Sequence, residues 1–172
     1  MSFEQKVIIK GVEPLDVIRS FHDHRFVEFL TALQPVRITS WKGINNDMEA
    51  SFSFWFFGWR DIKVVHKNYG VTRNSLQFED KGLKLPFGLS NWNHHHIVES
   101  HEKGTAIIDK IEMDNKTFIK KYFVYPIMIF PVLIRRLTYK IWFYLMEGKT
   151  WYSLKRFKSG AGSNYVNSCR SF

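Results

Sequence analysis

Residues 78–109 read FEDKGLKLPFGLSNWNHHHIVESHEKGTAIID. Side chains alternate along an extended strand, so Trp92, His94 and His96 project from one face and Asn93, His95 and Ile97 from the other. The same period of two extends outward from Val36 to Met113, broken by the turn residues Gly43, Asn45, Asn46, Gly70 and Gly82. This pattern predicts an antiparallel meander. Its richest run is ASFSFWFF, residues 50–57, read as a strand with Phe52, Phe54 and Phe56 on one face and Ser53, Trp55 and Phe57 on the other. Large apolar groups on both faces need cover on both sides: one can line the interior, and the other must meet a helix, a partner or a membrane.

On the N-terminal side, KVIIKGV (residues 6–12) is a short strand ended by Glu13 and Pro14, and Pro suits the first turn of a following helix. Leu15, Ile18 and Phe21 repeat at helical spacing. A second short helix is predicted at Phe26 to Leu33, with Phe26, Phe29, Leu30 and Leu33 on one face and Pro35 as its stop. On the C-terminal side the period turns helical again, with Ile134, Leu137, Ile141, Leu145 and Tyr152 on one face, and the helix is expected to begin near Pro131. Gly148 weakens it by about 1 kcal/mol relative to alanine if the helix runs through.

Strand, two short helices, six further strands and a long terminal helix is the element order of the α+β helix-grip fold. Within that fold the chain resembles the SRPBCC, START-like ligand-binding group that includes polyketide cyclase and dehydrase-like proteins. The resemblance rests on Phe78 and Asp80, Pro86 and Phe87, Trp92, His94 and His96, Gly104 and Thr105, and Asp109, in that order and spacing. Leu85 stands where the family has glycine, and residues 114–117 lack a common proline. The resemblance covers roughly residues 6–146. It implies a curved antiparallel sheet of about seven strands wrapped around the C-terminal helix, with two short helices after the first strand. A ligand-binding domain over residues 1–158 and a disordered polar tail over 159–172 are expected. The fold hosts carriers, cyclases, hydrolases and ligand sensors, so whether the chain is an enzyme stays open at this point.

An interior between sheet and helix either fills with side chains or binds something apolar. Sixteen Phe, six Trp and seven Tyr, 17% of the chain, supply stiff rings for either purpose. The expected ligand-binding residues are Phe52, Phe54, Phe56, Trp92, His94, His96, Ile134, Leu137 and Ile141, and the expected ligand is a lipid, isoprenoid or polyketide-like molecule. The imidazole pair His94 and His96 suits zinc or copper, but no Cys pair, H-x-x-x-H or H-E-x-x-H pattern offers a third ligand. His66, His101, Asp80 and Asp109 complete a site only if the fold gathers them, so no metal and no cofactor is expected. The plainer reading is that the two histidines hold strands together, and that Asp80 and Asp109 accept from backbone N–H groups. As acid or base candidates, His94, His96, Asp80 and Asp109 carry no diagnostic spacing, and no catalytic residue is assigned. No G-x-S-x-G, Walker loop or G-x-G-x-x-G occurs, which disfavours serine hydrolases, NTPases and dinucleotide-binding enzymes.

Charge is unevenly placed. Of the net +9, residues 1–115 carry 14 basic against 15 acidic groups, and residues 116–172 carry 11 against one. That basic segment points to anionic partners, with peripheral contact at an anionic inner membrane surface as one outcome. Nucleic acid is not expected, since no recognition motif accompanies the charge. The run YFVYPIMIFPVLI, residues 122–134, is too short to span a bilayer and is read as able to dip into its surface. A start without a secretory apolar run predicts a cytoplasmic protein. The single Cys169 is read as an inert tail thiol, and both monomer and homodimer remain open.

Overall fold

The computed structural model of the chain describes residues 1–115 and 118–146, without the side chains of residues 118–121 and 146. The expectations for Gly148, Tyr152, Cys169 and the 159–172 tail lie outside the described residues. The elements run β1 (Ser2–Lys10), α1 (Pro14–Phe21), α2 (His24–Thr31), β2 (Val36–Trp41), β3 (Glu49–Trp55), β4 (Trp59–Val71), β5 (Ser75–Lys84), β6 (Leu89–His101), β7 (Gly104–Asn115) and α3 (Phe118–Ile141), with a π-helical turn, Trp142–Met146, at its end. The seven strands form one antiparallel sheet in the order β1-β7-β6-β5-β4-β3-β2. Its concave face packs on α3, which is the helix-grip arrangement.

Local chemistry explains the small helices. Pro14 occupies the first turn of α1, where a missing N–H is tolerated. Asp23 caps α2 by accepting from the Arg25 backbone N–H at 3.0 Å. Both helices bury one face: Val17, Ile18, Phe21, Phe26 and Leu30 join Val7, Ile9, Leu76, Phe78, Val98, Ile107, Tyr139 and Phe143 in one apolar cluster. A second cluster, Ile62, Val64, Trp92, Ile111, Met113, Val124, Met128, Ile129 and Val132, fills the end where α3 begins. Leu33, expected on the buried face of the second helix, falls after it and is exposed.

Three readings are corrected. First, α3 starts at Phe118 rather than near Pro131, and it contains both Pro126 and Pro131. Pro126 is exposed, so water can serve the carbonyl its ring leaves without a donor, and burial of Val124, Met128, Ile129 and Val132 favours continuing the helix. Residues 122–134 are therefore part of the packed helix. Second, the buried stripe of that helix is Val124, Met128, Val132 and Tyr139, continued by Phe143 in the π-helical turn. Leu137 and Leu145 lie on the outer side, Leu137 at 55% exposure, while Ile134 and Ile141 flank the buried stripe and are half-buried. Third, β3 ends at Trp55, because Phe57 takes a left-handed φ of 45° and Gly58 a φ of 120° to turn the chain back into β4. Phe56 and Phe57 thus belong to a turn and do not alternate with the strand.

Candidate functional site

The register of five strands writes two adjacent rows across the concave face. In one row His66 on β4 faces Asp80 on β5, which faces His94 on β6. In the next, Phe78 on β5 faces His96 on β6, then Asp109 on β7, then Gln5 on β1. Antiparallel pairing thus gathers His66, Asp80, His94, His96 and Asp109 into a block of imidazoles and carboxylates. The block lies between the two apolar clusters, under Arg135 and Tyr139 of α3. His66, His94, His96, Asp109, Gln5 and Tyr139 are all buried.

Carboxylates only accept, so the ring nitrogens facing them carry the hydrogens. His66 Nδ1 donates to Asp80 Oδ1 at 2.7 Å and His96 Nε2 to Asp80 Oδ2 at 3.2 Å. His94 Nε2 donates to Asp109 Oδ1 at 3.1 Å, and Gln5 Nε2 to Asp109 Oδ2 at 3.0 Å and to the Val132 carbonyl at 2.7 Å. The Tyr139 hydroxyl donates at 3.3 Å to both Asp109 oxygens, and Arg135 Nη1 stands 3.7 Å from Oδ1. His96 Nδ1 also lies 3.1 Å from Asp109 Oδ1, but off the bond axis, and it counts with His66 Nε2 and Gln5 Oε1 among buried atoms without a hydrogen-bond partner. Aromatic rings fix the imidazoles: Phe78 stacks on His96 at 4.5 Å, and the His94 and His96 rings are 3.9 Å apart.

Burial works against the charge of every group here, and the neighbours decide the outcome. For Asp109 burial is outweighed by the bond from His94, the close contact of His96 and the charges of both, which hold its carboxyl well below the usual range. Asp80 is held low in the same way, burial being overcome by the charge of His96 and the bonds from His66 and His96. Burial together with the neighbouring His96 charge pushes His94 down to about 4, against its bond to Asp109. His96 goes the other way, because Asp80 and Asp109 overcome its burial. Arg135 is raised despite its burial, chiefly by Tyr139 and Asp109, and Tyr139 is pushed well above its usual value by burial and then by the Asp109 charge.

Of the residues picked out in the sequence, Trp92, His94 and His96 do share one face, and Asp80 and Asp109 meet them. The two aspartates accept from side chains, not from the backbone N–H groups expected. Phe52 and Phe54 sit on the concave face at the second cluster, half-buried, with Phe54 tilted on Phe87 at 5.8 Å; Phe56 reaches the same Phe87 ring from the turn at 5.7 Å. Leu137 is not brought inside. Gln5, Arg135 and Tyr139 had no signal in the sequence beyond being polar in apolar surroundings. His66 is brought in by its pairing with Asp80 across β4 and β5. Among the described residues, Asp80, His94 and His96 each offer a ligand atom, all within 4.8 Å of one another, which makes them the group able to hold a metal ion.

No protein-family model matches the sequence, and no curated protein matches it. Solved structures do share its fold. The hypothetical protein jhp0584 from Helicobacter pylori is 15% identical with a TM-score of 0.60, over 80% of this chain and 84% of that one. The di-domain ARO/CYC StfQ from the steffimycin biosynthetic pathway is 10% identical with a TM-score of 0.58, over 81% of this chain and 49% of StfQ, so the chain corresponds to about half of that protein. The Aha1 dimer from Colwellia psychrerythraea is 12% identical with a TM-score of 0.51, over 84% of this chain and 97% of that one. The chain is thus an α+β protein of the helix-grip class. Two short helices follow β1 and the long helix comes last. Among the described residues no helix is long and apolar enough to cross a membrane.

Proposed function

We propose that the chain binds one hydrophobic small molecule between the sheet and the first half of α3. The observation that carries this reading is an asymmetry of the concave face. At the α1–α2 end the inward-facing residues, among them Ile9, Leu76, Phe78 and Val98, are sealed. At the opposite end the inward-facing rings of Phe52 and Phe54, with Leu85, Phe87 and Tyr125 around them, remain half-buried although they face a helix. Half-covered rings on an interior face are what an apolar ligand completes. Trp92 forms the floor beside them, Ile134 and Ile141 flank the inner stripe of α3, and the His94 and His96 block offers a polar end. The likeness to StfQ, an ARO/CYC protein, supports a lipid, isoprenoid or polyketide-like class of ligand.

Native mass spectrometry of the purified chain, followed by solvent extraction, tests this directly: one apolar molecule per chain, released on unfolding, is expected. Replacing Phe54 by alanine removes about half of a ring's burial, of order 1 to 1.4 kcal/mol, and so weakens binding of a fluorescent fatty acid about tenfold. A chain that carries nothing and binds no member of a panel of fatty acids, sterols and polyketides refutes the reading.

A second reading rests on the turn between β3 and β4. Trp55, Phe57 and Trp59 are exposed there, Phe57 at 83%, and the Arg37 guanidinium lies 3.3 Å above the Trp59 ring. Aromatic rings beside cationic groups suit the headgroup region of an anionic bilayer. Flotation with anionic but not neutral vesicles, reduced in Phe57→Ser, is expected; indifference to lipid charge and to that substitution rejects it.

A further inference from the structure

The inner stripe of α3, Val124, Met128, Val132 and Tyr139, is buried against the sheet and the early helices. The opposite side of the same helix is apolar as well. Phe123, Phe130, Leu133 and Leu137 all lie exposed there, Phe123 at 73%. At 3.6 residues per turn these four positions fall within an arc of about 80°. A helix with the sheet on one side and only water on the other carries polar residues along its outer face. Apolar residues scattered singly over a surface are ordinary, but a row of them along one helix face marks a surface that something covers. We infer that the outer face of α3 lies lengthwise on a lipid bilayer bearing anionic headgroups.

Charge identifies the occupant. Residues 118–146 hold five basic residues and no acidic one. Arg135 turns inward toward Asp109, whereas Arg136 and Lys140 are exposed and, by the same helical count, fall along one flank of the apolar row. Long cationic side chains can lay their stems on apolar surface while their heads reach lipid phosphates, so a row of Phe and Leu edged by Arg and Lys matches the boundary between acyl chains and anionic headgroups. A second copy of the chain fits this face less well, because pairing along α3 brings more cations and no acidic residue of α3 to meet them. Among the described residues no helix is long and apolar enough to cross a bilayer, so α3 lies on the surface and does not span it. The exposed rings of the β3–β4 turn stand at the end where α3 begins: Phe56 meets Phe87 at 5.7 Å, and Phe87 packs on the cluster that holds Val124.

The inference requires neither an occupied interior nor a role for the turn. The full chain is floated through a density gradient with vesicles of phosphatidylcholine, with or without phosphatidylserine. Flotation with the phosphatidylserine vesicles alone, lost at high salt, is expected. The double variant Phe130→Gln/Leu137→Gln changes two exposed positions, so it keeps the wild-type Tm, and its partitioning falls about tenfold or more. Arg136→Gln/Lys140→Gln lowers binding to the anionic vesicles by a similar factor and supplies the test if the first variant misfolds. Flotation that Phe57→Ser abolishes and both α3 variants leave unchanged overturns the inference in favour of the turn alone. A wild-type chain that ignores anionic vesicles also overturns it. So does a chain that sediments as a dimer and becomes a monomer in Phe130→Gln/Leu137→Gln, since a second copy then covers the face.

Discussion

Gly104 begins β7 directly after the turn from β6 and pairs with Lys10 at the end of β1. Its φ is 137°, and a Cβ placed there would stand 2.3 Å from the Ile9 carbonyl oxygen, 2.8 Å from the Gly11 nitrogen and 3.2 Å from the Lys10 carbonyl carbon. All three are backbone atoms, so no side chain can swing aside. Gly104→Ala must push the end of β1 away from β7. Three hydrogen bonds are strained by that movement: Gly11 N–H to the Lys103 carbonyl at 2.9 Å, Lys10 N–H to the Tyr144 hydroxyl at 2.7 Å, and the Thr105 hydroxyl to the Val12 carbonyl at 2.7 Å. A residue forced into this φ costs about 1 to 3 kcal/mol, and partial loss of three bonds adds about 1 to 3 more. A total of about 2 to 6 kcal/mol lowers Tm by about 10 °C for a domain of this size. Gly11 is the internal control: its φ of 71° is also left-handed, but nothing lies within 4 Å of its would-be Cβ, so Gly11→Ala costs only about 1 kcal/mol. Urea unfolding followed by far-UV circular dichroism measures both. If Gly104→Ala costs within 1 kcal/mol of Gly11→Ala, the close approach of β1 and β7 is not as described.

Other substitutions probe the site and the helix that covers it. Tyr139→Phe removes a buried hydroxyl shared between two Asp109 oxygens at 3.3 Å each; with both contacts long, about 1 kcal/mol of stability is lost in urea unfolding. Val132→Ala, on the inner face of α3, costs about 1 to 3 kcal/mol, whereas Leu137→Gln changes stability by less than about 0.5 kcal/mol, and the reverse order would put the helix in the phase read from the sequence. Asp23→Ala removes the cap of α2 at about 1 kcal/mol. The Asp23 carboxyl is held below its usual value, mainly by its bond from Arg25 and against partial burial, so its contribution is present above the unfolded carboxylate pKa of about 4 and fades as pH falls through the lower folded value. The gap between wild type and Asp23→Ala should therefore narrow in urea titrations at pH 3.

The period of two made the meander legible, and the spacing of Trp92, His94 and His96 placed three inward side chains correctly. What periodicity could not show was where each element stops. The 50–57 run looks like one unbroken strand, but pairing of Trp55 with Trp59 demands a turn at Phe56 to Gly58, and the turn takes precedence over the alternation. Two prolines in residues 122–134 mark a boundary by local propensity, yet burial of Val124, Met128 and Val132 outweighs the hydrogen bonds the prolines remove. With the helix starting 13 residues earlier, its face is set by contacts with the sheet, and Leu137 rotates outward. Local chemistry named the candidates; tertiary packing chose among them.

The polar block was the least legible part, for a reason that bears on its role. Its members come from β1, β4, β5, β6, β7 and α3, and none lies within helical or strand spacing of another except His94 and His96 on β6 and Arg135 and Tyr139 on α3. Only the strand register joins them, and a slip of one residue anywhere between β4 and β1 would turn a member to the convex face. Charged groups in such a position contribute little net stability, since a packed apolar set of the same volume is often as stable. They also leave two imidazole nitrogens and an amide oxygen without partners. A fold that needed only to hold its strands together gains nothing from that arrangement.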